Sequence, residues 1–383
     1  MMKNLGLMLV FAQMVFQLVG CVEPYTPSVT LDAPDILVID GEVDATTESA
    51  RIKITHAVSL TSVEPPAPET GALVFIEDEF GNSQFLTESM SGNYEADNLD
   101  IDFSSQYRLI VQIMNGKIYQ SDFVRPKQSP AIDSVTWRAG QDGVTIFVNT
   151  HDESGESRFY QWSFEETWHY RSNYRSVFIA DKLANIVRER EPSEMIDACW
   201  RTTSSKSVLL NTTSHLSTDV VQDFELIKIE PGSIKMTSRY SILVKQKVLT
   251  EEAFTYWTQI QKTTEDLGGL FDPLPGQVRG NITCITEPQY PVLGYFNIVS
   301  VREHRIYIDQ SELQEDYPKY QGMASCKLDS VPLSEGLYAP GYLIDTYASE
   351  TSPDPIGYFV SSRQCVDCTA LGGVTSKPLF WQE

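Results

Sequence analysis

The sequence predicts a mainly β protein, with an N-terminal immunoglobulin-like β-sandwich followed by a larger β-rich domain that carries at least one α-helix and an irregular, cysteine-containing C-terminal tail. Three observations lead there. Short runs rich in Val, Ile, Phe and Tyr are separated at close spacing by Asp-Gly, Gly-Asn and Asn-Gly turns, the chemistry of tight hairpins. The stretch Tyr160 to Tyr170 keeps a period of two, with Tyr160, Trp162, Phe164, Trp168 and Tyr170 on one face and polar residues on the other. One segment has a helical period with start and stop signals: Thr250 as N-cap, Glu251 and Glu252 in the first turn, an apolar face through Ala253, Tyr256, Trp257, Ile260 and Leu267, then Gly268-Gly269.

The elements follow in order. Residues 1–20 have the layout of a signal peptide: Lys3 near the start, then Leu5 to Val19, an apolar run too short to span a bilayer as a helix of about 20 residues. Leu18-Val19-Gly20-Cys21 resembles a bacterial lipobox, which makes Cys21 the acylated first residue of the mature chain. Several acyl chains on one residue hold a protein stably to a membrane, whereas one chain does so only marginally. Residues 21–35, with Pro24, Pro27 and Pro34, read as an extended tether. Strand signals at Ile36 to Ile39, Arg51 to Leu60, Leu73 to Phe80, Gln84 to Thr87, Tyr107 to Ile113 and Ile118-Tyr119 assign 36–125 to the sandwich. Arg125 to Pro130 is a linker by composition, and 131–383 form the second domain, with its helix near 250–267.

Composition excludes several classes of function. Of 383 residues, 42% are hydrophobic and 21% charged, which is ordinary for a globular protein and unlike disordered or collagen-like chains. The net charge is −23 with no basic tract, so nucleic acid is a poor partner. The catalytic templates are absent. There is no phosphate loop, no His-Glu-x-x-His and no Gly-x-Ser-x-Gly, and the five histidines are scattered singly. No catalytic residue, metal site or cofactor is predicted. Asp97, Asp100 and Asp102 read as a solvated acidic turn.

Beyond Cys21, five cysteines remain: Cys199, Cys284, Cys326, Cys365 and Cys368. In an exported protein these are structural disulfides by default, with at least one thiol left over, and their spacing leaves the pairing open. Cys365-x-x-Cys368 lacks the second ligand pair of a zinc site, and Thr369 to Gly373 is a poor helix start for a redox motif. The aromatic face at 160–170 is the one candidate ligand platform, set against the commoner role of such a face as sandwich core.

Several landmarks fall in a familiar order: Leu18 to Cys21, Ile39-Asp40-Gly41, Ile132-Asp133-Ser134-Val135, Glu166-Thr167-Trp168, Glu251-Glu252-Ala253, Gly268 to Asp272, Gly280-Asn281-Ile282, Leu293-Gly294-Tyr295-Phe296, and the ending Cys365-x-x-Cys368 with Pro378 to Trp381. The chain resembles the Bacteroidota lipoprotein family known as domain-of-unknown-function family 4249. The resemblance implies a lipid-anchored outer-membrane protein, facing the cell surface in preference to the periplasm. It implies an accessory role beside a TonB-dependent transporter, with outer-membrane lipid, that transporter and an unidentified nutrient as partners. A structural or adhesive envelope protein is the alternative.

Overall fold

The computed structural model describes residues 36–58, 63–265, 278–322, 325–350 and 352–382. The leader, Cys21, the tether and Gly268-Gly269 lie outside them. In chain order the first strands are β1 (Leu37–Asp44), β2 (Ser49–His56), β3 (Leu73–Asp78), β4 (Ser83–Met90), β5 (Asn93–Ala96), β6 (Tyr107–Gln112) and β7 (Ile118–Ser121). Next come β8 (Ile132–Gly140), β9 (Gly143–His151), β10 (Phe159–Arg171), β11 (Phe178–Asp181), β12 (Ile186–Glu189), β13 (Ala198–Ser204), β14 (Leu209–Thr212), β15 (Val220–Ile229) and β16 (Arg239–Val248). Helix α1 (Glu251–Glu265) precedes β17 (Ile282–Cys284), β18 (Val292–Val299), β19 (Arg302–Asp309), β20 (Asp329–Pro332), β21 (Tyr342–Ser349), β22 (Ser352–Ser361) and the short α2 (Arg363–Val366).

The first sandwich is one nine-stranded sheet, in the order β17-β7-β6-β3-β4-β5-β2-β1-β18, folded over on itself. The fold-over lies in β4, whose first half pairs with β3 and whose second half pairs with β5. Alternate residues from both halves meet inside: Ile39, Ile54, Val74, Ile76, Leu109, Val111 and Phe296 are all buried. Each such side chain contributes about 1.5–3 kcal/mol by leaving water.

Sequence alone places 282–299 in the second domain; their strands hydrogen-bond into the first sandwich. β18 runs parallel to β1 from Leu37↔Val292 to Asp44↔Val299, and β17 pairs with β7. A period-two run encodes a buried face but not its partner, so this return is invisible in the pattern. β18 does carry the mark of a parallel strand covered on both sides, with every residue from Gly294 to Val299 buried. Phe296 and Ile298 enter the sandwich core, while Tyr295 and Val299 pack with Leu249 and Ala253 at the base of α1. The two free edges are joined by Asn281, whose amide donates to the Phe296 carbonyl and accepts from the Phe296 N–H, each at 2.9 Å.

Gly294 makes the parallel pairing feasible. Its φ of +108° suits glycine, and a Cβ there would lie 1.9 Å from the Ile39 carbonyl oxygen. The neighbouring motif is tied to the same spot, since a Cβ on Gly280 would lie 1.6 Å from the Gly294 carbonyl oxygen.

The segment read as a linker is clamped. Ser129 N–H donates to Ser300 Oγ at 2.6 Å, Ser129 Oγ donates to the Ser300 carbonyl at 2.6 Å and accepts from Val248 N–H at 2.9 Å. Both serines are buried. Lys127 also bridges to Val299 in parallel.

The second sandwich packs the sheet β13-β10-β16-β19, with β14 also on β10, against β15-β9-β8. Beyond it, the tail holds more regular structure than its Pro and Gly content suggests: β20-β22-β21 form an antiparallel sheet around Val331, Leu343 and Val360, backed by the hairpin β11-β12. From Arg363 onward short turns take over, pinned by two disulfides, Cys199–Cys368 and Cys326–Cys365. The two cysteines of the Cys-x-x-Cys thus serve different bridges. Cys284 is free and buried.

Gly294→Ala is expected to cost at least about 3 kcal/mol in denaturant unfolding, because the new methyl meets backbone on a buried strand; a loss within about 1 kcal/mol would contradict the tight β1–β18 contact. Peptide mapping of the unreduced protein should recover Cys199 linked to Cys368 and Cys326 linked to Cys365, with Cys284 alkylated only after unfolding. Any other pairing would refute the layout of the tail.

Candidate cleft between the two sandwiches

The aromatic strand is core. Tyr160, Trp162, Phe164, Trp168 and Tyr170 are all buried, so β10 presents no aromatic platform to solvent. Most polar atoms on this face find partners in the core, the indole N–H of Trp168 being an exception. Trp162 Nε1 donates to Gln246 Oε1 at 2.9 Å, and the fully buried Gln246 donates in turn to the Pro130 carbonyl and to Thr150 Oγ1. Tyr160 donates to Asp219 at 3.0 Å, and Tyr170 to the Cys368 carbonyl at 2.8 Å. Glu166, the one acid on this face, accepts from Lys235 at 2.8 Å and from Tyr240 at 2.7 Å.

The opposite, polar face of β10 faces two different neighbours. Toward its C-terminal end it lies under the tail: Tyr307 Oη donates to the Phe380 carbonyl at 2.6 Å, Arg305 lies over the Phe380 ring, and Trp381 packs edge-on against Trp200 and Tyr307. Toward its N-terminal end, Gln161 and Ser163 form one wall of a cleft of about 400 Å³ between the sandwiches. Lys247 of β16, the 205–208 connection and Trp257 of α1 complete that wall. The other wall is the outward face of the first sandwich: Asp40 and Glu42 from β1, Arg51 and Lys53 from β2, and Asn93 and Glu95 from β5.

Alternation explains these positions. In β1 the residues Leu37, Ile39, Gly41 and Val43 turn into the core, which leaves Asp40 and Glu42 outward. In β16 the buried set is Tyr240, Ile242, Val244, Gln246 and Val248, so Lys247 projects the other way. The walls are joined by an ion pair between the sandwiches: Lys247 Nζ lies 2.6 and 2.5 Å from the two Glu42 carboxylate oxygens. Arg51 approaches Glu95 at 3.9 Å.

Asp40 is the perturbed group. Asp40 is still open to solvent at the cleft mouth, yet partial desolvation of its carboxyl and the like charge of Glu42 raise its pKa above the ordinary value against the opposing pull of Lys247 and Lys53. Burial, and the nearby Asp40 charge, push the Tyr256 phenol up to about 12, so it stays a neutral hydroxyl. Tyr256 stands behind the cleft wall, whereas Asp40 lines it, and a perturbed titratable group in a cleft marks a candidate site. A volume of this size falls within the range of small-ligand sites, about 300–1,000 Å³.

Neither histidine nor cysteine lines the cleft; of its three carboxylates, Glu42 has both oxygens engaged by Lys247, Glu95 lies 3.9 Å from Arg51, and Asp40 is the perturbed one. Among the described residues, no three His, Cys, Asp or Glu side chains come together to hold a metal ion.

The model of the family described as a domain of unknown function, DUF4249, matches residues 22–305. The chain belongs to that family. No curated protein matches the chain. The matched span of this DUF4249 member contains every cleft residue and both returning strands; it stops short of Cys326, Cys365, Cys368 and the Pro378 to Trp381 ending.

Sequence reasoning did not single out Asp40, Glu42, Lys247 or Trp257 as a group, since nothing in their spacing joins them. The only local trace is the polar half of the alternation in β1, β10 and β16.

Asp40 gives a pH prediction with a defined sign. A carboxyl whose pKa is raised by folding adds stability below its unfolded value, and that contribution is lost as pH rises through the folded value. At neutral pH the fold is therefore carrying a disfavoured carboxylate. Asp40→Asn should raise the melting temperature slightly near neutrality, and the gain should vanish below about pH 4. A lower melting temperature for the variant at neutral pH would refute it.

Proposed function

We propose that the protein is a non-catalytic, lipid-anchored outer-membrane protein that holds a small nutrient in the cleft and acts as accessory to a TonB-dependent transporter. The anchor is the acylated Cys21, the tether lifts the body from the lipid, and the body faces the cell surface. The observation that carries the reading is the cleft itself. Its walls come from two sandwiches locked together by β18, the buried Ser129–Ser300 contact and the Lys247–Glu42 pair, so the site is largely formed before any ligand arrives. A preformed site loses little ordering entropy on binding. The leader with Leu18-Val19-Gly20-Cys21 supports the location, and the absence of a nucleophile–base pair in the cleft lining supports binding without turnover.

Co-purification tests the partnership. The full chain, tagged at its C-terminus in its native host and extracted in mild detergent, should bring down a TonB-dependent transporter in stoichiometric amount; recovery alone, under conditions that preserve a known transporter complex, would favour a structural or adhesive role. Filling the cleft tests the site. Ser163→Trp places an indole in the wall and should abolish growth on the transported nutrient while the protein stays folded and transporter-bound. Unchanged growth with this variant would remove the cleft from the function.

A further inference from the structure

On the reading that the cleft is the binding site, its lining narrows the ligand class. We infer that the cleft takes a neutral, hydroxyl-rich ligand of the oligosaccharide type. Charge is the first argument. In a chain of net charge −23, the cleft is balanced, with Asp40, Glu42 and Glu95 set against Arg51, Lys53 and Lys247. Glu42 is held by Lys247, Glu95 lies near Arg51, and Asp40 stands opposite Lys53 in the β1–β2 register. The Lys247–Glu42 pair is the drier of these, with the lysine side chain only 19% exposed, so an ion that drew Glu42 away would leave a poorly hydrated ammonium behind; the Arg51–Glu95 pair is open to solvent and sets a smaller barrier. A neutral ligand asks for no such exchange.

Uncharged hydrogen-bonding capacity is the second argument. The side chains of Gln161, Ser163 and Ser207 make no hydrogen bond among the described residues, and all three line the cleft. The Gln161 amide offers donors and an acceptor, and each serine hydroxyl can do both. Ligand hydroxyls also donate and accept, so a polyol can replace the water on these groups bond for bond, while the Asp40 carboxylate can accept from two adjacent hydroxyls. A ligand with only acceptors or only donors would leave half of this capacity unused, at a desolvation cost for each group.

The third argument is the apolar component. Trp257, fixed edge-on against Tyr256 with ring centroids 5.4 Å apart, is the large aromatic side chain on the α1 side of the cleft. A sugar ring has an apolar C–H face that packs on an indole, and its hydroxyls point outward to the polar wall. A strongly hydrated ion has no such face.

Calorimetric titration of the full chain in detergent tests this with defined probes: maltotriose, cellotriose, mannotriose and xylotriose as neutral ligands, trigalacturonate as an anion and dialanine as a zwitterion. At least one neutral trisaccharide should bind, with an affinity that changes less than about twofold between about 0.05 and 0.5 M salt. Trp257→Ala and Gln161→Ala, each checked for folding by circular dichroism, should each weaken it at least about tenfold, and the probe should be recovered uncleaved. Preferential binding of trigalacturonate or dialanine, lost in the same two variants, would overturn the ligand class and leave the cleft as the binding site. Trisaccharide binding that neither variant weakens, or no binding of any neutral probe, would also overturn the inference. The cleft reading itself stands or falls separately with Ser163→Trp.

Discussion

The parallel pairing of β1 with β18 is the constraint on which the rest of the molecule depends. It puts a strand from beyond residue 290 at the edge of a sheet that begins at residue 37, and it brings Phe296, Ile298 and, through β17, Ile282 into the first core. Without these residues the first sandwich has an open edge and an incomplete interior. It is therefore not closed by its own strands, and completing it takes a pairing between residues far apart in the chain, from Leu37↔Val292 to Asp44↔Val299. The same strand fixes the other neighbours. Its outer face seats α1, and the residue after it, Ser300, clamps the connection between the sandwiches. A hinge would be expected at a segment composed like Arg125 to Pro130, and the buried hydroxyl pair removes it.

From that constraint follows the division of labour on the central sheet. One face of β10 is aromatic and buried; the other is polar and is shared between the tail and the cleft. The tail reaches its place because Cys368 is bonded to Cys199 on β13 and Cys365 to Cys326, which carries the last residues across toward Tyr307 and Trp200. The bridges shorten the search for that place in the unfolded chain, an effect that grows with the length of the closed loop. The end of the sheet left unroofed is the one beside β1, and there the polar residues of both sandwiches face each other across the cleft.

The two levels of this design differ in how far the sequence displays them. Strand positions were legible because burial imposes a period of two: Leu73 to Phe80, Tyr160 to Tyr170 and, with its own period, the helix from Glu251 stand where the pattern puts them. The core role of the aromatic face could be weighed but not decided, since a period-two face looks the same whether it meets another sheet or a ligand. Pairing was not legible. Nothing near Gly294 announces Ile39 as its neighbour, and β5, four residues between two turns, is too short to register as a run. The cleft fell below detection for the same reason, because Asp40, Lys247 and Trp257 meet only after the return of β18 has set one sandwich against the other.

The cleft also shows why its charges are better understood as walls than as hooks. A protein could have covered this joint with apolar side chains, as it does around Leu249, Ala253 and Val299. Instead the joint keeps six charged groups in opposed signs, one of them a carboxyl held in an unfavourable state. Balanced pairs of this kind add little net stability, since desolvation offsets most of their attraction. What they do supply is a gap that cannot collapse, because closing it would bury Asp40 and Lys53 without water. The polar halves of the alternation in β1, β2, β10 and β16 thus meet across a gap lined by opposed charges, where an apolar joint would have closed.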